Sequence, residues 1–522
     1  MSAVSNPVVT LDIIKRDAQT GLEDQRVLIC GQKTSAGAAA AGLYRDAPRT
    51  DAEINELWGA RSHVAQMLRA FRKINNVTNV DVIALADNGG GTAATGVLAI
   101  SGTATAAKTI YVSIGSSQTS RYEIDVEVGD AAADVAGKVL AAAAADTSAP
   151  FTAALSTATL TFTAANKGTH ANGWLLSVLD AYDRPGLVAG LTFTITAWGS
   201  GATNPVLTSL FDDVANIRYQ HIVYPAGWTV SYLKSFIDAR KNLDNDVKDG
   251  TGFQYITDTL SNLKSASLAI NSSEVVLLSN KANDLAHWRG PHVPEMPDVI
   301  TARFVAAASK RYEDQISISA LVATNAPNDQ FGGMDKAALP LFNTPLLNTR
   351  VPLNGSGFSE TEQRELQNAG ITIVGANRTN NAVIMGVVVT TWQNDDAGNT
   401  DDTWKYLEWR KTHGAIREYM VLNCRKQFAQ ARLTSGIAVA GYSMVNESVM
   451  RAFLYLLYDQ LADMALTVKG RDARKYFEDA LVVKIKPDRR SVELAADAPM
   501  VSQLGAITGS IKFSFTPGQA AA

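Results

Sequence analysis

Between Asp87 and about Ser200 the chain changes its composition, and then changes back. Before the break, the apolar strand pattern "RVLICG", the helical pattern "DAEINELWGARSHVAQMLRAFRKI" and the strand "NVDVIALA" make a βαβ-like unit. Inside it, runs such as "GGGTAATGVLAISGTATAAKTIYVSIG" and "ATLTFTAANKGTHANGW" are rich in Ala, Thr and Gly and read as short strands divided by turn residues. One helical pattern, "DAAADVAGKVLAAAAAD", interrupts them. After it, "RYQHIVYPAG", "SYLKSFIDARKNL" and "EVVLLSN" restore the alternation of strand and helix. A chain written this way predicts a mixed α/β protein of several domains, in which one α/β unit is interrupted by an all-β insertion and then resumes.

With 522 residues, 46% of them hydrophobic and 19% charged, a prior of about 150 residues per domain gives three or four units. The net charge of -4 argues against a general nucleic-acid binder. The start has no basic region followed by an apolar run and a cleavage site, and no eighteen apolar residues occur together, so a soluble cytoplasmic chain without membrane insertion is expected. Cys30 and Cys424 are the only cysteines, which excludes a disulfide framework.

Both ends carry strand patterns. In "VVTLDIIKR" Val9, Leu11 and Ile13 alternate with polar residues, and in "GSIKFSFTP" Ile511, Phe513 and Phe515 do the same. Between 359 and 392, Ser359 and Glu362 form a capping box, Gly370 supplies a left-handed helix stop, and a hairpin follows into "AVIMGVVVTTW". A long helix is expected from Trp404 to Arg432, with Tyr406, Trp409, His413, Ile416, Met420, Cys424 and Phe428 on one stripe. A second runs from 447 to 468.

Searches for chemistry fail one by one. "VLICGQKTSAGAAAAG" lacks the Lys at the end of the loop that a phosphate cradle needs. "GGGTAA" fits a loose GxGxxA, but a strand follows where a dinucleotide site needs a helix N-terminus. The six histidines have no metal-binding spacing, and structural roles are expected for all of them. The acidic loop with Asp395, Asp396, Asn399 and Asp401 misses the calcium register and reads as a solvated loop with an N-cap. No cofactor and no catalytic residue are therefore assigned. One charged feature stands out: the Trp404–Arg432 helix carries a net +5 on an acidic chain. Arg410 and Arg417 share one line along it, and Lys411, Arg425 and Arg432 another. Two readings stay open, a solvated face and a surface that docks on an acidic partner.

The stretch from "LPLFNTPLLNTRVPLNG" through "TDDTWKYLEWRKTHGAIREYM" resembles the contractile tail sheath proteins of Mu-like bacteriophages. The matching features are the helix-to-strand step from Leu366 to Ile371, "VVVTTW" at 387–392, the acidic loop and the aromatic-rich helix with Arg410. "LTFTAANKGTHANGW" and "VANIRYQHIVYPAG" also look like that family's middle region. The resemblance covers about two thirds of the chain, in order, and departs in lacking the proline-glycine opening of some sheath N-termini.

The resemblance implies a set of domains: an N-terminal arm at 1–22, a middle α/β domain at 23–86 and 201–345, an outer β-rich insertion at 87–200, an inner domain at 346–504 and a C-terminal arm at 505–522. It implies that Val9, Leu11, Ile13, Ile511, Phe513 and Phe515 lie on strands donated to neighbouring copies. Burying the last three at roughly 1.5 to 3 kcal/mol each gives on the order of 5 to 9 kcal/mol before ordering costs. It makes Arg410, Lys411, Arg417, Arg425 and Arg432 candidates for facing a tail tube. The implied partners are further copies of the chain, the tube protein, and baseplate and terminator proteins. The implied place is the virion tail, assembled in the host cytoplasm. The rival readings are a static tail or virion component and a nucleotide-dependent α/β enzyme.

Overall fold

The computed structural model describes residues 25–182, 184–206, 210–214, 217–241, 248–280, 295–323, 341–351, 357–379, 381–428, 430–439, 443–487 and 492–501. The donated-strand residues Val9, Leu11, Ile13, Ile511, Phe513 and Phe515 lie outside the described residues, as do His287 and His292.

An eight-stranded sheet is built from three separated stretches of chain. The first supplies β1 (Arg26–Gln32), β2 (Gly42–Tyr44) and β3 (Asn79–Leu85). Its expected single helix is two, α1 (Asp51–Trp58) and α2 (His63–Arg72). The break falls where Gly59 adopts φ +86° and the Ser62 side chain caps the next helix by accepting from the Ala65 N–H.

The insertion holds β4 (Ala93–Gly102), β5 (Lys108–Ile114), β6 (Ser116–Val126), α3 (Ala132–Ala145), β7 (Phe151–Ser156), β8 (Thr159–Lys167), β9 (Leu176–Leu179) and β10 (Leu191–Gly199). These make a four-stranded sheet in the order β10-β4-β8-β7 and a three-stranded sheet in the order β6-β5-β9. "GGGTAA" accordingly runs into a strand.

The chain then returns to the large sheet with β11 (His221–Val223), α4 (Val230–Lys241), β12 (Thr251–Tyr255), α5 (Leu260–Ile270), β13 (Val275–Ser279) and α6 (Pro297–Ala323). β1 pairs in parallel with β3 on one side and β11 on the other, so the α/β unit does resume after the insertion. Its central strands are buried on both faces, as parallel strands are. Val27 and Ile29 belong to the core that α2 and α6 share, while Leu28 and Cys30 pack on the other face against Tyr219, Trp228 and Leu233.

The sheet does not stop at 345. After α7 (Glu360–Asn368), with its Ser359–Glu362 capping box and Gly370 at φ +76°, β14 (Ile371–Ala376) pairs in parallel with β13, and β15 (Ala382–Met385) closes the edge. The strands expected to open the C-terminal domain thus complete the middle one. The long helix α8 (Leu407–Phe428) follows the last of these strands. That helix starts three residues later than expected, because Asp401 holds Thr403 in a local turn and the Thr390 hydroxyl donates to the Trp404 carbonyl at 2.7 Å.

Beyond α8 lie the short strands β16 (Arg432–Leu433) and β17 (Met444–Val445), α9 (Glu447–Asp463), α10 (Arg471–Ala480), and the antiparallel pair β18 (Val482–Ile485) and β19 (Val492–Ala495). They share a separate core of Met450, Leu454, Leu457, Leu461, Phe477 and their neighbours.

Candidate assembly site

Two places on the sheet could carry function, one at each end of its parallel strands. The first lies beyond the C-terminal ends of β1 and β11, where the strand order reverses. In an open α/β sheet that crevice is the usual ligand site. Here the insertion fills it. The Gln32 side-chain amide donates to Asp87 Oδ1 and to the Lys167 carbonyl, both at 2.7 Å. The Asn166 amide donates to the Lys33 carbonyl at 2.9 Å and its oxygen accepts from the His63 N–H at 2.8 Å.

Beneath these, the buried His63 and His170 rings stack at 4.4 Å, and His63 Nε2 lies 3.0 Å from Asp298 Oδ2. Burial pushes His170 well below the ordinary histidine range, aided by His63 beside it. What remains is a cavity of about 10 Å³, room for about one water molecule. His63 and His170 are structural in this position, fastening the insertion to α2 and α6. Among the described residues, no three His, Cys, Asp or Glu side chains stand together as a metal-binding group.

The second place lies at the opposite edge, where α8 crosses the N-terminal ends of β11, β12 and β13. Residues just ahead of those strands meet the basic helix. Arg410 is buried, with Nη2 3.4 Å from Asp249, Nε paired with Glu274, and Nη1 3.0 Å from His413 Nδ1. Lys411 donates through Nζ to the Gln220 carbonyl. Arg218 bridges Asp249, at 3.4 Å, and Glu418 on the next turns of α8.

The electrostatics follow from burial. Burial pulls the Asp249 carboxyl upward, but Arg218, Arg410, Arg417 and Lys411 outweigh it and hold it below its ordinary value. Glu274 is raised by burial in spite of Arg410, and Lys411 is lowered by burial in spite of Glu274 and Asp249. His413 is pushed down to about 4 by burial and by Arg410. Glu408, one turn before, accepts a hydrogen bond from the Leu341 N–H at 3.4 Å, and burial raises it to about 7.

The charge run is therefore neither wholly a solvated face nor wholly a docking face. Arg410 and Lys411 are engaged inside the subunit, so the tube-facing expectation does not fit them: their charge neutralises Asp249 and Glu274. Arg417 is half-buried beside Asp249, whereas Arg425 and Arg432 are exposed. The expected apolar stripe holds from Ile416 onward, with Met420, Cys424 and Phe428 packed against the C-terminal core. Leu407 joins the large core, and Ile416 and Tyr419 join the C-terminal core, so one helix is shared by both. The acidic loop is held by its own turns: Asp395 Oδ1 accepts from the Ala397 and Asn399 N–H groups, and the Trp392 indole donates to Asp401 at 2.8 Å.

Sequence reasoning missed Arg218, Asp249, Glu274 and Glu418. The signal for two of them was a lone carboxylate just before an apolar strand, Asp249 ahead of "TGFQY" and Glu274 ahead of "VVLLS".

The chain joins a mixed α/β sheet, its switch-point crevice filled by its own insertion, to a C-terminal core through one shared helix, and over nearly its whole length it is similar to a phage tail sheath protein. The resemblance read from the sequence extends over the whole chain: it is 24% identical over 521 residues to the Mu-like prophage FluMu tail sheath protein of Haemophilus influenzae, covering 98% of each. No family model matches the chain. Solved structures that superpose on it include the sheath tail proteins of Desulfitobacterium hafniense (TM-score 0.46, 12% identity, 94% of this chain and 96% of that one) and Listeria innocua (TM-score 0.43, 11% identity, 93% and 94%). A chain of the anti-feeding prophage baseplate does so too, with TM-score 0.45 and 12% identity over 98% of this chain and all of that one. Superpositions this loose carry no argument.

Proposed function

We propose that the chain is the subunit of a contractile tail sheath. It polymerises as stacked rings around a tail tube and contracts to drive that tube through a host envelope. The observation that carries this reading is the full-length match to a tail sheath protein, 98% of both chains. The insertion and the C-terminal unit leave the large sheet at opposite ends of its strands, which suits an outer and an inner domain. Stored energy would lie in the difference between two packings of the same subunits, with no nucleotide consumed.

In this reading the strands around Val9–Ile13 and Ile511–Phe515 join sheets of neighbouring copies. The tube-facing role falls to the exposed Arg425 and Arg432 and, at the rim, Arg417. Baseplate and terminator proteins bound the polymer, and the assembled sheath resides in the virion tail after assembly in the host cytoplasm.

Negative-stain electron microscopy of the full chain beside a truncation lacking residues 507–522 tests the proposal, each alone and with the tail tube as template. Hollow, helically ridged tubes from the full chain alone are expected. Normal tubes from the truncation would refute the donated strand, and compact particles from both, even on the tube, would refute the polymer. Reversing charge at Arg425 and Arg432 together should weaken decoration of the tube without unfolding the subunit.

A further inference from the structure

The four-stranded sheet of the insertion ends in two open edges, β10 and β7; among the described residues no strand pairs with the outer side of either. The ladder bonds fix which backbone groups point outward. Ile100 N–H donates to the Ala158 carbonyl, so residues 96, 98 and 100 of β4 bond to β8, and residues 97, 99 and 101 bond to Thr196, Thr194 and Thr192 of β10. The N–H and C=O groups of Phe193 and Ile195 therefore face outward. On the other side Ala165 N–H donates to the Pro150 carbonyl, which by the same alternation turns the groups of Phe151, Ala153 and Leu155 outward. The Phe151 carbonyl accepts from Arg61, leaving Ala153 and Leu155.

The two edges match in chemistry and in direction. Sheets usually protect an edge with charge, proline or a very short strand. "LTFTITAWG" and "FTAALS" contain no charge and no proline. On both strands the residues with outward backbone groups carry half-buried apolar side chains on the inner face, Phe193 and Ile195 on one, Ala153 and Leu155 on the other. The alternate residues, Thr192, Thr194 and Thr196 against Thr152, Ala154 and Ser156, are exposed on the outer face. Four antiparallel strands put β10 and β7 in opposite directions. A second copy displaced along the sheet thus offers its β7 antiparallel to β10, whereas β10 against β10 needs a two-fold axis.

We propose that β10 of one copy pairs with β7 of the next, Ile195 opposite Ala153 and Phe193 opposite Leu155, so that the insertions of adjacent subunits join in one continuous sheet. The apolar rows meet on the inner face, and on the outer face Thr192 and Thr196 meet Ser156 and Thr152 while Thr194 meets Ala154. The pairing rests on the polymeric reading above, because a head-to-tail contact needs a row of copies.

The test uses the full chain with Cys424→Ser as background, carrying Ala153→Cys and Ile195→Cys together or singly, treated with a short bis-maleimide both after assembly and in concentrated solution. The double variant should give a ladder of dimers, trimers and longer products. Each single variant should stay monomeric, and the two mixed should give dimers only. Leu155→Pro added to the Ala153→Cys chain, which removes an outward N–H and spares the bonds to β8, should reduce the mixed crosslink at least tenfold. Dimers from Ile195→Cys alone would overturn the proposal in favour of two-fold pairing. Tubes without crosslinks would overturn it while leaving the sheath reading standing, and a ladder without tubes would do the reverse. Monomers without crosslinks at any concentration would overturn both.

Discussion

The first half of α8 and its second half are one helix in two different settings. The first half is locked: Arg410, Lys411 and Glu418 are satisfied by carboxylates, a guanidinium and a carbonyl from the strand ends, and Leu407 sits in the core of the large sheet. The second half leads into a smaller core, around which Ile437, Leu456, Tyr476 and Leu494 stand exposed, Ile437 at 90%. Apolar residues of comparable exposure also stand on the sheet domain and its insertion, among them Val77, Tyr182 and Leu187. The two halves differ instead in how their charges are held: those of the first are buried against partners, whereas Arg425 and Lys426 of the second are exposed.

The largest expected effect probes the lock. Arg410→Ala strands Glu274 and Asp249 in a buried site and should cost about 3 to 5 kcal/mol in a denaturant titration. The double change Arg410→Met with Glu274→Leu should recover most of that loss; if it does not, the ion pair stabilises more than its apolar replacement and the contrast between the halves is sharper than drawn.

Next comes the small core. Leu461→Ala should cost about 2 to 5 kcal/mol, but only within the C-terminal unit. Hydrogen exchange should rise across α9 and α10 and stay unchanged in β1 and β3, and a matching rise in β1 would break the division into two cores.

A pH series probes the first half through its buried titrating groups. The folded carboxyl of Glu408, raised to about 7 from an ordinary 4.5 by burial, binds its proton more tightly than the unfolded one. Stability from this group is therefore full below pH 4.5 and falls as pH rises to about 7, by about 3 kcal/mol at most. His413, lowered to about 4, acts the other way between pH 6.5 and 4, costing stability as pH falls. Glu408→Gln should be more stable than the parent at pH 8, by about 1 to 3 kcal/mol, and no more stable at pH 4.5. An equal gain at both would remove Glu408 from the lock.

The smallest effect is a cap. Asn446 accepts from the Val449 N–H at 2.9 Å at the start of α9, and Asn446→Ala should cost about 1 kcal/mol, registered by melting of the C-terminal unit alone.

What could be read in the sequence was local. The Ser359–Glu362 box, the Gly370 stop, the interruption at Asp87 and the return of strand-helix alternation all depend on neighbours within a few residues, and the structure has each of them. The break at Gly59 was legible in principle, since "WGARS" contains both the glycine and the capping serine. What could not be read was pairing at a distance. Nothing near Ile371 says that it lies beside Leu277, and nothing near Arg410 says that Asp249 and Glu274 await it. A run of positive charge looks the same in sequence whether it faces solvent, a partner or buried carboxylates.

The interrupted sheet also sets an order of events during synthesis. β1 must hold its edge open until β11 emerges, since Arg26 and its partner Gln220 are 194 residues apart. At about 5 to 20 residues per second the ribosome needs roughly 10 to 40 s to cover that distance. The insertion, whose strands pair with one another among the described residues, has that interval in which to fold. Its Asn166–His170 turn is then in place before β11 arrives, so the plug of the crevice can serve as the template on which the second half of the sheet closes.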